Sequence, residues 1–432
     1  MNPHTFKRLA LTLGGLGLAA VFAFAWQSKP QPQLAGFALP QTQVVPLAGD
    51  QQPVFESRFA SSNLQNFAHA SAITALPNGD LLSVWFAGSR EGAADVQIRG
   101  ARFDVRSGTW GEEMILATRE STQRGLQKHI RKLGNPVVVV TPDERLWMFY
   151  VSVSIGGWAA SSINAMFSDD LGNTWSTPRQ LVTSPFLNIS TLVRGAPVVH
   201  ADGSIGLPVY HEFLGKFAEY LYLDRNGEVV DKFRISHGNH SLQPTVVPLD
   251  GQRAVAMLRY AGDELHRVLA SRTEDGGQTW SAPVPLAPNN PNSSLAAIVT
   301  PRHGLLVALN DLTEGRFRLS LYGADAELQQ WTPLMDLDES PDPEGDPVDE
   351  ATYQSLLRAE YRQARADLGD ADLDALLERH DRRVCKRGRC NLEYDYPYVI
   401  RGTDGRYHLV YSWNHSFIKH VSFNDAWLEQ QL

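Results

Sequence analysis

Short apolar runs separated by polar turns fill most of the chain from Phe67 onwards. Runs such as 72–76, 80–86 and 136–141 have the length of single strands and end at turn residues. Asp-Gly or Asn-Gly pairs recur between these runs, which is typical of hairpins. The pattern predicts an all-β fold: a sandwich, a barrel or a propeller.

One segment, residues 336–392, departs from this pattern. Its apolar positions fall at helical spacing, which predicts two amphipathic helices inserted between two late strands. These positions are Tyr353, Leu356, Leu357 and Tyr361, and then Leu373, Leu376 and Leu377. The insertion is either a lid or partner surface over the functional face, or an addition without a role.

The chain begins with an export-like segment. Lys7 and Arg8 precede an apolar run over 9–26, so residues 1–26 are predicted to be a cleaved signal peptide or a membrane anchor. Residues 27–55 are rich in Gln and Pro and are predicted to be a linker, leaving 56–432 as one domain. Either form of the first segment places the domain outside the cytoplasm, in the periplasm or the extracellular space.

Net charge and cysteine content limit which binding partners, disulfides and metal sites the sequence predicts. A net charge of −9 over 432 residues argues against nucleic acid. Cys385 and Cys390 close a short loop, and in an exported protein a disulfide is expected there. The loop offers too few ligands for zinc, so no metal and no cofactor are predicted. The sequence does not constrain the oligomeric state.

Two octets of the form S/T-x-D-x-G-x-T-W are the most specific motif. They span Ser168–Trp175 and Thr273–Trp280. The Asp accepts hydrogen bonds from nearby backbone N–H groups, the Gly adopts a conformation closed to other residues, and the Trp packs on the sheet. Each octet therefore predicts a hairpin turn, and two copies predict a repeat architecture.

The octet is the Asp-box, or BNR repeat, and over 67–425 the chain resembles the sialidase (neuraminidase) superfamily. The resemblance implies a β-propeller in which each box joins the third and fourth strands of a blade, opposite the active site. Degenerate boxes before Trp110 and Trp331 bring the number of such turns to four. The interval between Trp175 and Trp280 leaves room for two blades, and with a closing blade made from both chain ends the expected number of blades is six. The C-terminal strand, Ile418–Phe423, is expected to pair with an N-terminal strand in a closing blade.

The resemblance also implies catalytic residues. The family uses an acid/base carboxylate after the second strand of the first blade, and Glu91 is the first candidate and Asp95 the second. A tyrosine serves as nucleophile in the family, and Tyr396 has the matching position. An acid on one side of the sugar and a nucleophile on the other suit an oxocarbenium-like transition state.

Arginines that bind the substrate carboxylate are the other family feature, because guanidinium groups match carboxylates. Arg259 and Arg316 match the second and third of three such arginines. Arg90 closes the strand before Glu91, and Arg194 stands at a strand end where a sugar could bind.

Two positions depart from the family. His69 stands where the first arginine is expected, and Gln243 replaces the Glu that activates the tyrosine. Gln cannot accept a proton, and Glu212 is a carboxylate that could take over this role. His69 and Gln243 remain candidate substrate-binding residues.

Three functions are compatible with these residues. The first is a sialidase-like exo-glycosidase that removes an acidic, sialic-acid-type terminal sugar from a glycan. The second is a polysaccharide lyase on a uronate-containing glycan, with His69 and Tyr396 as base and acid. The third is a propeller that binds an acidic glycan without catalysis.

Overall fold

The structure is a computed structural model that forms two compact units, residues 1–34 and 35–432. It describes residues 3–27, 34–39, 52–61, 67–184, 188–238, 240–301, 304–364, 369, 371, 373–375, 377–378 and 384–431. The first unit contains helix α1, Pro3–Gln27. Within the described residues, no helix combines the length and the apolar character needed to span a membrane. The export segment and the localisation therefore stay predictions.

The second unit contains, in its described residues, six antiparallel sheets of four or five strands, numbered here I to VI. Sheet I consists of β2 (Phe67–Ala75), β3 (Leu81–Gly88), β4 (Gln97–Asp104), β5 (Thr109–Trp110) and β6 (Met114–Ala117). Sheet II consists of β7 (Lys132–Val140), β8 (Leu146–Val153), β9 (Ser161–Ser168) and β10 (Arg179–Gln180). Sheet III consists of β11 (Leu192–Val193), β12 (Val198–Val199), β13 (Ile205–His211), β14 (Phe217–Leu223) and β15 (Val229–Arg234). Helix α2, Arg119–Leu126, connects sheet I to sheet II.

Sheet IV consists of β16 (Ser241–Pro248), β17 (Ala254–Tyr260), β18 (Arg267–Thr273) and β19 (Val284–Asn289). Sheet V consists of β20 (Ala296–Thr300), β21 (Gly304–Leu309), β22 (Arg318–Ala324) and β23 (Trp331–Glu339). Sheet VI consists of β27 (Tyr394–Arg401), β28 (Tyr407–Trp413), β29 (Phe417–Phe423) and β1 (Phe55–Phe59). The all-β prediction is confirmed.

Successive sheets contact one another in chain order through their first strands, except that sheet III contacts sheet IV through β12 and β13. The contacts run from β2 to β7, β7 to β11, β13 to β16, β16 to β20, β20 to β27, and from β27 back to β2. Strands β3 and β8 are buried along their whole length, because both faces of these sheets are covered. This explains why their sequences are continuous apolar runs rather than alternating ones.

Sheet VI joins the two ends of the unit. Strand β1 pairs with β29 in antiparallel register, with Phe55 opposite Phe423 and Phe59 opposite Lys419. Phe55 also contacts Trp427 of the last helix, α4 (Asp425–Gln431). The expected pairing of the C-terminal strand with an N-terminal one is confirmed, and it covers an edge that would otherwise expose backbone groups.

Both Asp-boxes form the turns that the sequence predicts. In the first, Asp170 accepts hydrogen bonds from Thr174 N and Thr174 Oγ1 at 2.8 and 2.7 Å, between β9 and β10. Asp275 receives the equivalent bonds from Thr279 between β18 and β19. These bonds stabilise the charged carboxylate and lower the pKa of Asp170 to about 2. Each box thus joins the third and fourth strands of its sheet.

The helical part of the insertion is shorter than predicted, because β23 continues to Glu339. Helix α3, Glu350–Ala364, buries Tyr353, Leu357 and Tyr361 against sheets V and VI. The expected second helix is described only in part, with Leu373 and Leu377 buried, and Leu376 lies outside the described residues.

The predicted disulfide between Cys385 and Cys390 is present. It joins β25 (Cys385–Lys386) to β26 (Arg389–Cys390), which also pairs with β24 (Val348–Asp349). The short three-stranded sheet therefore lies next to the start of α3.

Part of the predicted linker, 27–55, belongs to the second unit and is packed within it. Phe37 is buried and forms a bridge with His200, and its N–H donates to Gly251 O at 2.7 Å. Residues 40–51 of this segment lie outside the described residues.

Candidate active site

A cavity of about 250 Å³ opens at one end of the sheets. Five of its side chains come from loops between the second and third strands of a sheet: Glu91, Trp158, Glu212, Arg316 and His415. Since antiparallel strands alternate in direction, each first strand begins at this same end, and the Asp-box turns lie at the other. The remaining lining residues are His69, Asn135, Leu192, Tyr210, Gln243, Arg259 and Tyr396.

Four first strands carry a bulge near the cavity. The pairing register shifts at this point in β2, β7, β16 and β27. In the bulges Ala70, Asn135, Gln243 and Tyr396 have φ between 45° and 55°. Left-handed backbone is unfavourable for such residues and is often kept at functional sites. Three of these bulges therefore bring a polar side chain to the cavity wall.

The Tyr396 hydroxyl is held by two donors. Arg259 Nη1 lies 3.0 Å away and Gln243 Nε2 lies 3.1 Å away. Arg259 also donates to Gln243 Oε1 at 3.0 Å and, through Nε, to Asn292 Oδ1 at 2.6 Å. Arg259 therefore positions both the Tyr396 hydroxyl and the side-chain amide of Gln243.

Beneath Tyr396 lies an ion pair. Arg316 Nη1 donates to Asp395 Oδ2 at 2.6 Å, and the Arg316 guanidinium carbon lies 5.6 Å from the centre of the Tyr396 ring. Asp395 is fully buried. Burial alone would raise the pKa of Asp395, but His415, His69 and Arg316 together hold this pKa well below its usual value. The carboxylate therefore stays charged and fixes Arg316.

Two histidines flank the same carboxylate. His415 Nε2 lies 3.3 Å from Asp395 Oδ2, and His69 Nδ1 lies 3.7 Å from Oδ1 and 2.9 Å from Ser412 Oγ. The His69 ring centre is 4.3 Å from that of Tyr396. Burial, aided by His415 and opposed by Asp395, sets the pKa of His69 well below its ordinary value. At neutral pH His69 is uncharged and able to accept a proton.

His69, Asp395 and His415 are also the residues of this site that could hold a metal ion. Their ligand atoms lie within 4.8 Å of one another. However, the Arg316 guanidinium donates to the Asp395 carboxylate at 2.6 Å, which places a positive charge beside that position. We therefore assign Asp395 to holding Arg316 and the histidines.

The wall between sheets II and III combines a buried phenol and a half-buried carboxylate. Tyr210 Oη lies 3.3 Å from Asn135 Nδ2 and 3.4 Å from Gln243 Nε2. Glu212 is half-buried, and its burial raises the pKa above the usual value, against the opposing effect of Arg259 and nearby lysines. Glu212 is thus a carboxyl group suited to keep a proton longer than an exposed one.

Glu91 lies on the loop after β3, where the family resemblance places the acid/base carboxylate. Trp158 Nε1 donates to Glu91 Oε1 at 3.0 Å, and Lys132 Nζ lies 3.8 Å from the centre of the Trp158 ring. The carboxylate is otherwise exposed. Glu91 therefore combines access to solvent with a fixed orientation towards the cavity.

Three candidate residues lie outside the cavity lining. Arg194 is buried and donates to the carbonyl oxygens of Ser71, Tyr396 and Pro397. Asp95 accepts bonds from Ser89 N and Oγ, closing the loop that carries Glu91. Arg90 is exposed and donates to Glu91 O. Arg194 and Asp95 hold the backbone around the site instead of facing a ligand.

The structure brings together the other candidates, His69, Glu91, Glu212, Gln243, Arg259, Arg316 and Tyr396. Sequence reasoning missed Asp395 and Tyr210, which no motif distinguished from core residues. A signal for the bulges was present, because Asn135, Gln243 and Tyr396 each precede a proline. Proline lacks an N–H and is tolerated at a bulge, where the strand ladder is interrupted.

The fold and the cavity define an all-β protein with BNR repeats and a polar cavity at one end of its sheets. The family model described as "BNR repeat-like domain" matches residues 79–409, so the chain belongs to that family. No curated protein matches the chain.

Solved sialidase structures have a similar fold. A Hadza microbial sialidase has a TM-score of 0.63 and 16% identity, covering 87% of this chain and 68% of the other. An intramolecular trans-sialidase from Ruminococcus gnavus has a TM-score of 0.60 and 13% identity, covering 87% and 97%. The NanB sialidase from Streptococcus pneumoniae has a TM-score of 0.60 and 10% identity, covering 90% and 71%. At these identities the likeness concerns the fold.

Proposed function

We propose that the second unit is a six-bladed β-propeller and an exo-acting glycosidase for an acidic, sialic-acid-type terminal sugar. The blade number is supported by six sheets that contact one another in a cycle. The glycosidase activity is supported by the names of the similar structures, which are sialidases and trans-sialidases. The cavity, at about 250 Å³, is smaller than the roughly 300–1,000 Å³ of common ligand sites, which favours one terminal sugar.

The observation that carries this proposal is the Tyr396 hydroxyl held by Arg259, with Arg316 beside the ring. Two guanidinium groups provide a site for the sugar carboxylate. They place that carboxylate next to the phenol oxygen, which then attacks the anomeric carbon while the bond from that carbon to the leaving oxygen breaks. The phenol proton passes to the neutral His69 ring, whose centre lies 4.3 Å from that of Tyr396. The covalent glycosyl–tyrosine intermediate is released by water in a second step.

A proton donor is required on the opposite side of the glycosidic bond. We assign this role to Glu91, whose carboxylate is oriented by Trp158 and reaches solvent. Glu212 is the second candidate, because burial raises its pKa and keeps it protonated to higher pH. The variants Glu91→Gln and Glu212→Gln distinguish the two candidates, because turnover should fall more in the variant that lacks the true acid. In that variant the fall should be smaller for a substrate with a good leaving group, which needs less help from a proton donor.

The test is release of methylumbelliferone from sialosides and related acidic glycosides. Tyr396→Phe should lower kcat about a thousandfold or more while leaving binding of the free acidic sugar within about threefold. Tyr222→Phe is the matched control, because this tyrosine bonds Asp202 and Ser204 away from the cavity. Binding of the sugar without turnover by the unaltered chain would indicate a glycan-binding propeller instead.

A second candidate function, a lyase on uronate-containing glycan, is favoured by Gln243. The amide on the Tyr396 hydroxyl replaces a carboxylate base, and the neutral His69 ring packs against Tyr396. In a lyase the base removes the proton next to the uronate carboxyl group and the leaving oxygen receives a proton, which forms a carbon–carbon double bond. An ultraviolet-absorbing product from uronic polysaccharides that is lost in His69→Ala would support the lyase, and its absence would exclude it.

A further inference from the structure

The rim of the cavity on sheets II and III exposes large apolar side chains. Ile155, in the loop after β8, is 78% exposed, and Phe213 and Leu214, in the loop after β13, are 54% and 81% exposed. The same two loops carry the cavity residues Trp158 and Glu212. These apolar tips therefore flank the cavity mouth and are available to contact another surface.

Basic residues lie beside these tips. Lys128 is exposed, and its Nζ donates to Gln180 Oε1 at 3.3 Å on the outer strand β10 of sheet II. Arg131 is also exposed, and its Nη1 donates to Gly156 O at 3.1 Å in the loop that carries Ile155. Lys132 is the next residue and packs over the Trp158 ring. Arg90 is exposed on the neighbouring loop of sheet I. This basic segment stands out in a chain with a net charge of −9.

The rim on sheets IV and V, which follows sheet III in the ring, is acidic, although Leu265 in this part is 45% exposed. The loop after β17 contains Asp263 and Glu264, and the loop after β21 contains Asp311 and Glu314. Acidic loops are repelled by an anionic surface, whereas the basic and apolar loops of sheets II and III are attracted to it. The rim is therefore polarised, with one side suited to an anionic, apolar partner.

We propose that Ile155, Phe213 and Leu214 insert into an anionic lipid bilayer while Lys128 and Arg131 contact its headgroups. Apolar side chains that enter the interface and cations that meet anionic lipid are the two contributions that bind a protein to a bilayer surface. The cavity mouth then faces the bilayer, which makes the acidic sugar of a membrane glycolipid its substrate. This last step rests on the proposed glycosidase function, whereas the contact with the bilayer does not.

The binding test uses the full chain with vesicles of phosphatidylcholine, with and without phosphatidylglycerol, in a sedimentation assay. The variant I155S/F213S/L214S should lower the partition coefficient about tenfold or more. The control I115S/V230S/V284S removes three exposed apolar residues from outer strands and should change it by less than about twofold. Helix α1 is the same in all these proteins, so any binding through it does not affect the comparison.

A charge variant provides a second test of binding to the bilayer. K128E/R131E should weaken binding to phosphatidylglycerol vesicles about tenfold or more and leave binding to phosphatidylcholine nearly unchanged. Thermal unfolding followed by circular dichroism checks that every variant is folded. Equal vesicle binding by I155S/F213S/L214S and the unaltered chain overturns the proposal. The proposal is also overturned if I155S/F213S/L214S changes the oligomeric state and leaves vesicle binding unchanged, because the apolar tips then contact a second copy of the chain.

The substrate test compares one acidic sugar on a lipid in vesicles with the same sugar on a soluble oligosaccharide. The ratio of the two turnover rates should fall in I155S/F213S/L214S, while turnover of the soluble substrate stays the same. An unchanged ratio overturns the glycolipid assignment. If neither substrate is turned over, the proposed glycosidase fails, and the sedimentation result still decides whether the rim binds a bilayer.

Discussion

Arg194 Nη2 donates to the carbonyl oxygen of Tyr396 at 2.6 Å, so a buried guanidinium holds the backbone of the residue whose hydroxyl faces the cavity. The same nitrogen donates to Pro397 O at 3.0 Å, and Nη1 donates to Ser71 O at 3.1 Å. Three carbonyl groups, from strands β2 and β27, thus accept hydrogen bonds from one guanidinium group. This arrangement fixes a left-handed residue whose conformation is otherwise unfavourable.

Arg194→Lys should lower both stability and turnover. An ammonium group cannot reach three carbonyl oxygens in the planar geometry of a guanidinium, so we expect a loss of roughly 1–3 kcal/mol in the free energy of unfolding. Urea denaturation measures this loss, and kcat should fall with little change in KM. Arg179→Lys, at an exposed pair with Glu228, is the control and should cost less than about 1 kcal/mol. Reduced stability with unchanged kcat would contradict a role in positioning Tyr396.

Gln243→Glu should increase glycoside hydrolysis. The new carboxylate would lie beside the Tyr396 hydroxyl and could accept its proton, which strengthens the nucleophile by about tenfold or more in kcat. The rise should be absent in Gln243→Ala, which removes the contact altogether. Steady-state kinetics on a soluble acidic glycoside measure the effect. If Gln243→Glu and Gln243→Ala are both less active than the unaltered chain in hydrolysis and lyase assays, the amide itself is required.

Glu212→Gln should stabilise the protein at neutral pH and have little effect in acid. Burial raises the pKa of Glu212 in the folded state, so the contribution of this residue to stability is fully present below its unfolded pKa. That contribution is lost as the pH rises through the folded pKa. Urea unfolding should show equal stability of both proteins near pH 4, about the unperturbed pKa of Glu, and a more stable variant near pH 7. The reverse order at the two pH values would contradict this assignment.

Asp395→Asn should destabilise the protein at neutral pH. The variant leaves the half-buried Arg316 without its anionic partner, and breaking a buried pair in this way costs up to roughly 3–5 kcal/mol. Because the folded pKa of Asp395 is lowered, the stability it provides is present above the unfolded value, about 3.9, and is lost as the pH falls towards the folded pKa. The difference between the two proteins in urea unfolding should therefore shrink in acid. Asp169→Asn, at an exposed pair with Arg145, is the control, with about 0–1 kcal/mol.

The parts of the structure that follow from local sequence were predictable. The Asp-box turns form through hydrogen bonds between residues within one octet, so their pattern is visible in the sequence. The candidates Tyr396, Arg259 and Arg316 came from resemblance to a family, and the structure brings them to one cavity. Physical reasoning from single residues would not have united them, because they lie on different sheets.

Asp395 could not be predicted because it depends on a bulge. In a regular strand the neighbours Asp395 and Tyr396 would point to opposite faces, and only one of them could serve the site. The register shift between Asp395 and Tyr398 changes this, and it requires contacts with β28 and Arg194 that are distant in sequence. A recurring polar residue before proline indicates such a bulge, whereas its partners become known only from the fold.

The pairing of β1 with β29 determines when sheet VI can form during synthesis of the chain. Strand β1 leaves the ribosome before the other strands of the unit, while its partner β29 is translated after all of sheets I to V. Until then β1 has no neighbour in its sheet, and the early strand edge stays open to chaperones or to other chains. Native closure of sheet VI is therefore necessarily a step that follows translation of β29.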